Sequence, residues 1–285
     1  MFFGDAGPGK DVGLMMKNRS AAAPFAVWML LFTIVPLGVV VWFAFTDAAG
    51  KFTMDNIAAI GGHLGTLAYS IWLGAIATVV CLVLAYPLAY SISRKSERAQ
   101  QTMVMIIMLP MWMNFLLRTY AWMTLLENNG LINRFLGLFG VGPLSMINTS
   151  GAVVLGMVYN FLPFMVLPLY SVMVKIDSRI IEAAQDLGSN GWQILRRVIL
   201  PLSMPGIVSG ITMVFVPAVS TFVITKLLGG SKTQMIGDTI ETMFIGQAAN
   251  YNVGAALSLV LMVLILLCMA FMGMADKDEE GGLIV

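Results

Sequence analysis

The chain has 285 residues, 59% hydrophobic and only 11% charged, with a mean hydropathy of +0.87. A soluble domain carries roughly a quarter charged residues, so a water-soluble globule is excluded, and a net charge of +1 argues against a nucleic-acid binder. Cys81 and Cys268 each sit inside an apolar run, which excludes a disulfide framework, and the 23 methionines read as gap-filling packing.

The amino-terminal tail contains GDAGPGK, Gly4 to Lys10, which formally fits a phosphate-binding loop. Asp11 follows where Ser or Thr would hold magnesium, and there is no room for a preceding strand. The stretch reads as a Gly/Pro-rich tail, and any ATP used belongs to another chain.

A helix needs about 20 apolar residues to cross a bilayer. Six stretches are predicted to do so: Pro24–Phe45, Leu67–Ile92, Thr102–Leu125, Ala152–Val174, Gly206–Leu227 and Val253–Met274. The first is too long for the apolar region of a signal peptide and lacks a small-residue cleavage site. On the third span Asn114 and Arg118 are four apart and share a face. Arg118 is expected to pair with Glu127, Asp238 or Glu241, or to snorkel outward. Glu127–Ser150 contains the short apolar piece LINRFLGLFG, and Leu228–Asn252 contains QMIGDTIETMF. Both read as interfacial or re-entrant segments.

The polar segment between the fourth and fifth spans is IIEAAQDLGSNGWQILRRVILPLSMPG, Ile180 to Gly206. Asp177 or Ser178 caps a short helix, and Gly188 ends it in a left-handed conformation. Ser189 or Asn190 caps a second helix that Pro201 helps to stop. Ile180, Ala184 and Leu187 fall on one face of the first helix, with Glu182 and Asp186 on another and Ala183 and Ala184 small enough for close approach. One reading is a helix laid into a partner's groove; the other is an amphipathic helix lying on the inner leaflet. Gly206 and Gly210 open the fifth span as a G-x-x-x-G for close helix contact.

Orientation follows from Lys and Arg in the loops. With the amino terminus inside, the inner segments hold Lys10, Lys17, Arg19, Arg94, Lys95, Arg98, Lys175, Arg179, Arg196, Arg197 and Lys277. The outer half holds Lys51, Arg118, Arg134, Lys226 and Lys232. Both termini and the Ile180–Gly206 segment are therefore placed in the cytoplasm.

Glu182-Ala183-Ala184, three residues, Gly188, nine residues, Val198 and then Leu200-Pro201 resembles the EAA motif of ABC importer permeases. The family usually has isoleucine where this chain has Val198. From about Pro24 to Met274 the chain most resembles the first of the two permease subunits of spermidine/putrescine importers. The similarity lies in LLRTYAWMTLLENNGLINRFL (Leu116–Leu136), YNFLPFMVLPLYSVMVKID (Tyr159–Asp177) and LLGGSKTQMIGDTI (Leu227–Ile240).

The resemblance implies an all-α, six-span type I permease of the bacterial inner membrane, itself non-catalytic and without metal ligands. Residues 1–22 would form a cytoplasmic tail, 23–275 the permease domain with its coupling segment at 178–204, and 276–285 a second tail. The implied partners are a homologous permease, an ATPase dimer that binds the ATP and magnesium, an extracytoplasmic binding protein and membrane lipids. The coupling residues would be Glu182, Ala183, Ala184, Asp186, Gly188, Leu200 and Pro201. Glu182 would be the ion-pairing residue and Gly188 the bend. Arg196 and Arg197 are alternatively lipid-headgroup ligands.

Polar groups inside spans are functional candidates. The candidate pathway residues are Asn114, Arg118, Tyr120, Tyr159, Asn160, Thr221, Asp238 and Glu241. A polyamine path needs carboxylates and aromatic faces, which Asp238 and Glu241 and residues such as Trp112, Trp122 and Phe222 would supply. Alternatives are the same machine with thiosulfate, ferric ion or an opine-like compound as cargo, or an ATP-independent channel or carrier, which leaves the Glu182–Pro201 pattern unexplained.

Overall fold

The computed structural model describes the backbone of residues 24–246 and 249–282, and side chains as far as residue 273 apart from residue 232. The Gly4–Lys10 tail lies outside the described residues. These are helical throughout, apart from connecting loops and one isolated bridge between Thr46 and Phe52.

The helices are α1 (Pro24–Ala44), α2 (Asp55–Ala59), α3 (Leu64–Ser93), α4 (Glu97–Met108), α5 (Phe115–Leu126), α6 (Leu131–Gly137), α7 (Ser150–Met173) and α8 (Ser178–Asp186). They continue with α9 (Gly191–Leu202), α10 (Met204–Ser220), α11 (Ile236–Ile245) and α12 (Tyr251–Gly282). Four helices are long and apolar enough to cross a membrane: α1, α2–α3 as one rod, α7 and α12. Two bent pairs bring the number to six if each pair is one span.

The centre is a trio of α3, α7 and α10. On α3 the residues Leu73, Ala77, Cys81, Ala85 and Ala89 recur every fourth position and are at most 3% exposed. That spacing puts them on one helix face, against Met157, Met165, Leu169 and Met173 of α7. The predicted glycine pair of the fifth span makes the α7–α10 contact. A Cβ on Gly206 would stand 3.0 Å from the Pro168 carbonyl oxygen, and one on Gly210 would stand 2.6 Å from the Met165 sulfur. α12 packs on α1, α2, α10 and α11. Asn56 Nδ2 donates to the Thr46 carbonyl at 2.8 Å, and Asn252 Nδ2 donates to the same oxygen, fastening the end of α1. The apolar window of α1 has no buried residue, and such an exterior is stable only against lipid or another chain.

Two predicted spans are not the straight helices expected. The third, Thr102–Leu125, is bent by 88° between Trp112 and Phe115. α4 tightens into a 3₁₀ turn over Leu109–Trp112 that holds Pro110. Met113 is then extended, and Asn114 starts α5 as its N-cap, its side-chain oxygen accepting from Leu116 N at 2.9 Å and Leu117 N at 3.3 Å. Asn114 therefore works as the cap of α5, its carbonyl accepting from Arg118 N at 3.2 Å one turn on. The fifth span ends at Ser220, where Thr221 turns extended, and a wide helical turn, Thr225–Gly229, follows. α12 runs beyond the predicted span end at Met274 and stays helical to Gly282.

Candidate functional site

The polar segment folds as a helix hairpin. Asp177 is the cap of α8, its carboxylate accepting from Arg179 N at 2.9 Å. Gly188 has φ +80°, a conformation that costs a β-carbon but not glycine. Gly188 N donates to the Gln185 carbonyl at 2.8 Å and Ser189 N donates to the Ala184 carbonyl at 3.0 Å, the paired bonds of a Schellman stop. Asn190 caps α9 through a capping box, exchanging 2.9 Å bonds with Gln193. Of the alternatives left open by the sequence, Asp177 and Asn190 are the caps.

Pro201 does not stop α9, which runs on to Leu202. Without an N–H and with a ring that crowds the carbonyl four residues back, Pro201 is accommodated by a widened turn over Leu195–Ile199, where Leu200 N bonds to the Leu195 carbonyl. The chain bends 68° at Ser203, between α9 and α10. Ser203 is buried there, its hydroxyl 3.0 Å from the Tyr86 hydroxyl of α3.

The buried face of α8 is one residue out of step with the expectation. Ile181 and Ala184 pack on Ile176, Ile194 and Ile199, whereas Ile180 is 46% and Leu187 86% exposed. The helix meets the bundle through i and i+3, and the remaining apolar groups point away. Glu182, Ala183 and Asp186 are exposed as well, as are Trp192, Leu200, Pro201, Arg196 and Arg197. The hairpin thus offers an outer face of apolar, acidic and basic groups on a packed base.

The α3–α4 loop lies at the same end. Arg94 donates through Nη1 to the Ile176 carbonyl at 3.2 Å and lies over the Tyr90 ring. Gln100 of α4 donates to the Ser93 and Lys95 carbonyls and accepts from the Tyr170 hydroxyl. A cavity of about 360 Å³ between α3 and the hairpin is lined by Tyr86, Tyr90, Ile181 and Gln185 among others.

At the opposite end the two acids expected side by side have different surroundings. Asp238 is 5% exposed. It lies 2.8 Å from the Thr225 hydroxyl and accepts from Met235 N at 2.8 Å, closing the first turn of α11. Burial pushes its carboxyl above the usual carboxylate range, against the pull of those two hydrogen bonds. Ile236 N donates to Ser70 Oγ at 2.7 Å, which ties α11 to α3. Glu241 instead forms an ion pair with Lys226, a residue of the outer half. Asp238 is therefore a buried brace, whereas Glu241 is the more exposed of the two acids. The 13-residue gap from Thr225 to Asp238 follows no helical or strand period, so sequence offered no signal for it.

The other pathway candidates scatter. Thr221 lies partly buried where α10 ends, its carbonyl oxygen 2.6 Å from where a Cβ on Gly237 would stand. Tyr120 is exposed. Tyr159 meets Trp122 edge-on at 5.4 Å. Asn160 is buried and donates to the Gly156 carbonyl at 2.9 Å, while its Oδ1 has no partner among the described residues. Arg118 is 8% exposed on the face of α5 that also carries Trp122, and it pairs with none of the three acids expected for it.

Comparison with known proteins places this geometry. Residues 82–278 match the family model described as "Binding-protein-dependent transport system inner membrane component". The spermidine/putrescine transport system permease protein PotB of Haemophilus influenzae is 36% identical over 262 residues, 88% of this chain and 91% of that protein. PotB of Escherichia coli K12 is 36% identical over 246 residues, 83% and 89% respectively. A crystallised bacterial ABC transporter for import of the acidic polysaccharide alginate has a chain that superposes with a TM-score of 0.80 at 18% identity, covering 94% of this chain and 98% of that one. An apolar helical bundle with a capped polar hairpin at one end, matched over most of its length, belongs to the inner-membrane permease components of binding-protein-dependent ABC importers.

Proposed function

We propose that this chain is a permease subunit for spermidine and putrescine, coupled through the α8–α9 hairpin to a partner ATPase pair. The observation that carries the coupling role is the hairpin itself. Its inner residues are fixed in a small core, while Glu182, Leu187 and Trp192 face outward. The polyamine assignment is supported by the names of the curated relatives. The working complex has a homologous second permease, an ATPase dimer that binds ATP and magnesium, an extracytoplasmic binding protein, and surrounding lipid. Both termini and the hairpin are cytoplasmic.

Closure of the ATPase pair pulls on α8. Its caps and its packing on Ile194 and Ile199 pass the displacement to α9 and through the Ser203 bend to α10. α10 is locked to α7 by Gly206 and Gly210, so the central trio reorients as a body and access alternates between the two sides. Leu200 and Pro201 shape the turn that joins hairpin to trio.

The test is uptake by the complete complex in liposomes, with labelled spermidine, putrescine, thiosulfate, ferric ion and an opine as separate cargoes. ATP-dependent uptake of the two polyamines alone is expected. Glu182→Lys should lower uptake while the ATPase pair still hydrolyses ATP. Uptake of another cargo in preference overturns the polyamine assignment, and uptake without ATPase subunits overturns the coupling role.

A further inference from the structure

Lys226 lies between two pockets at the end opposite the hairpin. Its ammonium pairs with the Glu241 carboxylate and stands 6.0 Å from the centre of the Phe222 ring. A carboxylate and an aromatic face are the groups that hold an organic ammonium. Glu241 and Phe222 also line a cavity of about 440 Å³, together with Leu261, Met262 and Ile265. Its wall is thus charged and aromatic at one point and aliphatic beyond. Lys226 itself lines the second pocket, of about 540 Å³, with Glu127, Asn128, Asn129 and Asn148. Glu127 is exposed, and its carboxylate is in no ion pair among the described residues. One lysine therefore has two acids within its surroundings. The side chains of the Lys226–Glu241 pair are 44% and 21% exposed, and an ion pair so open to water is weak enough to exchange. A lysine side chain is an ammonium on a flexible four-carbon stem, which is also the chemical form of one end of putrescine and of spermidine.

We propose that Glu241 and Phe222 form a site for the terminal ammonium of a polyamine, and that Lys226 fills this site as a built-in stand-in when no cargo is present. The inference rests on the polyamine reading above and deepens it: it names the site and the residue that guards it. An arriving aminobutyl end takes the Glu241 carboxylate and lays its methylenes against Leu261, Met262 and Ile265. Two cations at one carboxylate repel each other, so Lys226 leaves for Glu127 across the second pocket. The exchange turns one pair and one free acid into two pairs. A neutral or anionic solute has no group that displaces the lysine, so the pair acts as a filter for cations.

The test is binding of labelled spermidine to the membrane complex, permeases and ATPases together in nanodiscs, with no binding protein added. Lys226→Met removes the ammonium and keeps an apolar stem. With the lysine filling the site about nine-tenths of the time, its removal should raise spermidine affinity about tenfold. Lys226→Arg keeps a cation and should stay near wild type, and Lys226→Gln serves in place of Lys226→Met should that variant fail to assemble. Adding Glu241→Gln to either removal variant should abolish the gain. Glu127→Gln should weaken spermidine binding severalfold in the native background, where it takes away the lysine's second seat, and should have no effect beside Lys226→Met. Coupling of this kind separates a swinging lysine from two independent acids. In the native complex n-butylammonium should compete with spermidine and methylammonium should not. Unchanged or weaker spermidine binding in the removal variants, equal effects of Glu127→Gln in the two backgrounds, or no competition by n-butylammonium would overturn the proposal. If the complex carries another cargo while n-butylammonium binds more tightly without Lys226, the polyamine reading falls and the ammonium site stands. If spermidine is carried but removing Lys226 leaves its binding unchanged, the site falls and the cargo reading stands.

Discussion

Replacing Gly188 separates backbone geometry from contact. A Cβ at this position would meet no atom within 4 Å, yet φ is +80°. The cost of a substitution is therefore conformational alone. A left-handed conformation costs an ordinary L-residue roughly 1–2 kcal/mol, less for asparagine and most for a β-branched side chain. That range shifts the balance between the ordered turn and a frayed one by about 5- to 30-fold. The frayed turn gives up the bonds from Gly188 N and Ser189 N to Gln185 and Ala184, so α8 loses its fixed direction relative to α9. In liposomes containing the complete complex, coupled uptake should fall in the order Gly, Asn, Ala, Val, with ATP hydrolysis falling less than uptake. If Gly188→Asn is as defective as Gly188→Val, or Gly188→Val transports normally, the left-handed turn is not what holds the hairpin.

Leu187→Ala and Trp192→Ala remove exposed side chains. Neither should change the thermal midpoint of the purified subunit, and both should weaken pull-down of the ATPase. In a chain lacking Cys81 and Cys268, Ser96→Cys should resist an impermeant thiol reagent in intact cells while Ser231→Cys reacts; the reverse pattern inverts the topology. Asp238→Ala should lower the thermal midpoint by the equivalent of about 1–3 kcal/mol, the usual cost of stranding buried partners. Glu241→Gln removes a partly exposed pair with Lys226 and should cost at most about 1 kcal/mol. Because burial raises the Asp238 carboxyl, its contribution to stability is complete below the ordinary carboxylate pKa and lost as pH rises through the raised one. Melting curves across that acidic window should show the advantage of wild type over Asp238→Asn shrinking as pH rises, and a constant difference would contradict the assignment.

The parts readable from sequence were those whose signal is local. Apolar run length disclosed the long helices, the φ requirement at Gly188 disclosed the turn, and the four-residue spacing of Gly206 and Gly210 disclosed a close helix contact. The break at Met113–Asn114 was missed because hydropathy does not register a backbone turn, although Pro110 and a capping Asn four residues on were its visible sign. The phase of α8 differs by one position from the expected one because Ile180 and Ile181 are equally apolar, and only the fold of α9 decides which of them faces inward. Asp238 and Glu241, three apart on one short helix, look alike in sequence, because the burial of Asp238 depends on Thr225 and the backbone before α11, a relation no single-element pattern encodes.

The notch in which Gly206 and Gly210 receive Pro168 and Met165 also fixes the register between α10 and α7. Screwing α10 along its neighbour by one residue, about 1.5 Å with a turn of about 100°, would bring Ile207 or Ile211 toward a place already tight for a methyl group. Shear between these two helices is thus blocked in small steps, and only larger jumps would find another seat. A displacement applied at the Ser203 end of α10 would therefore reach its far end as tilt of α7 and α10 together, much as a key carries its shaft without slipping along it.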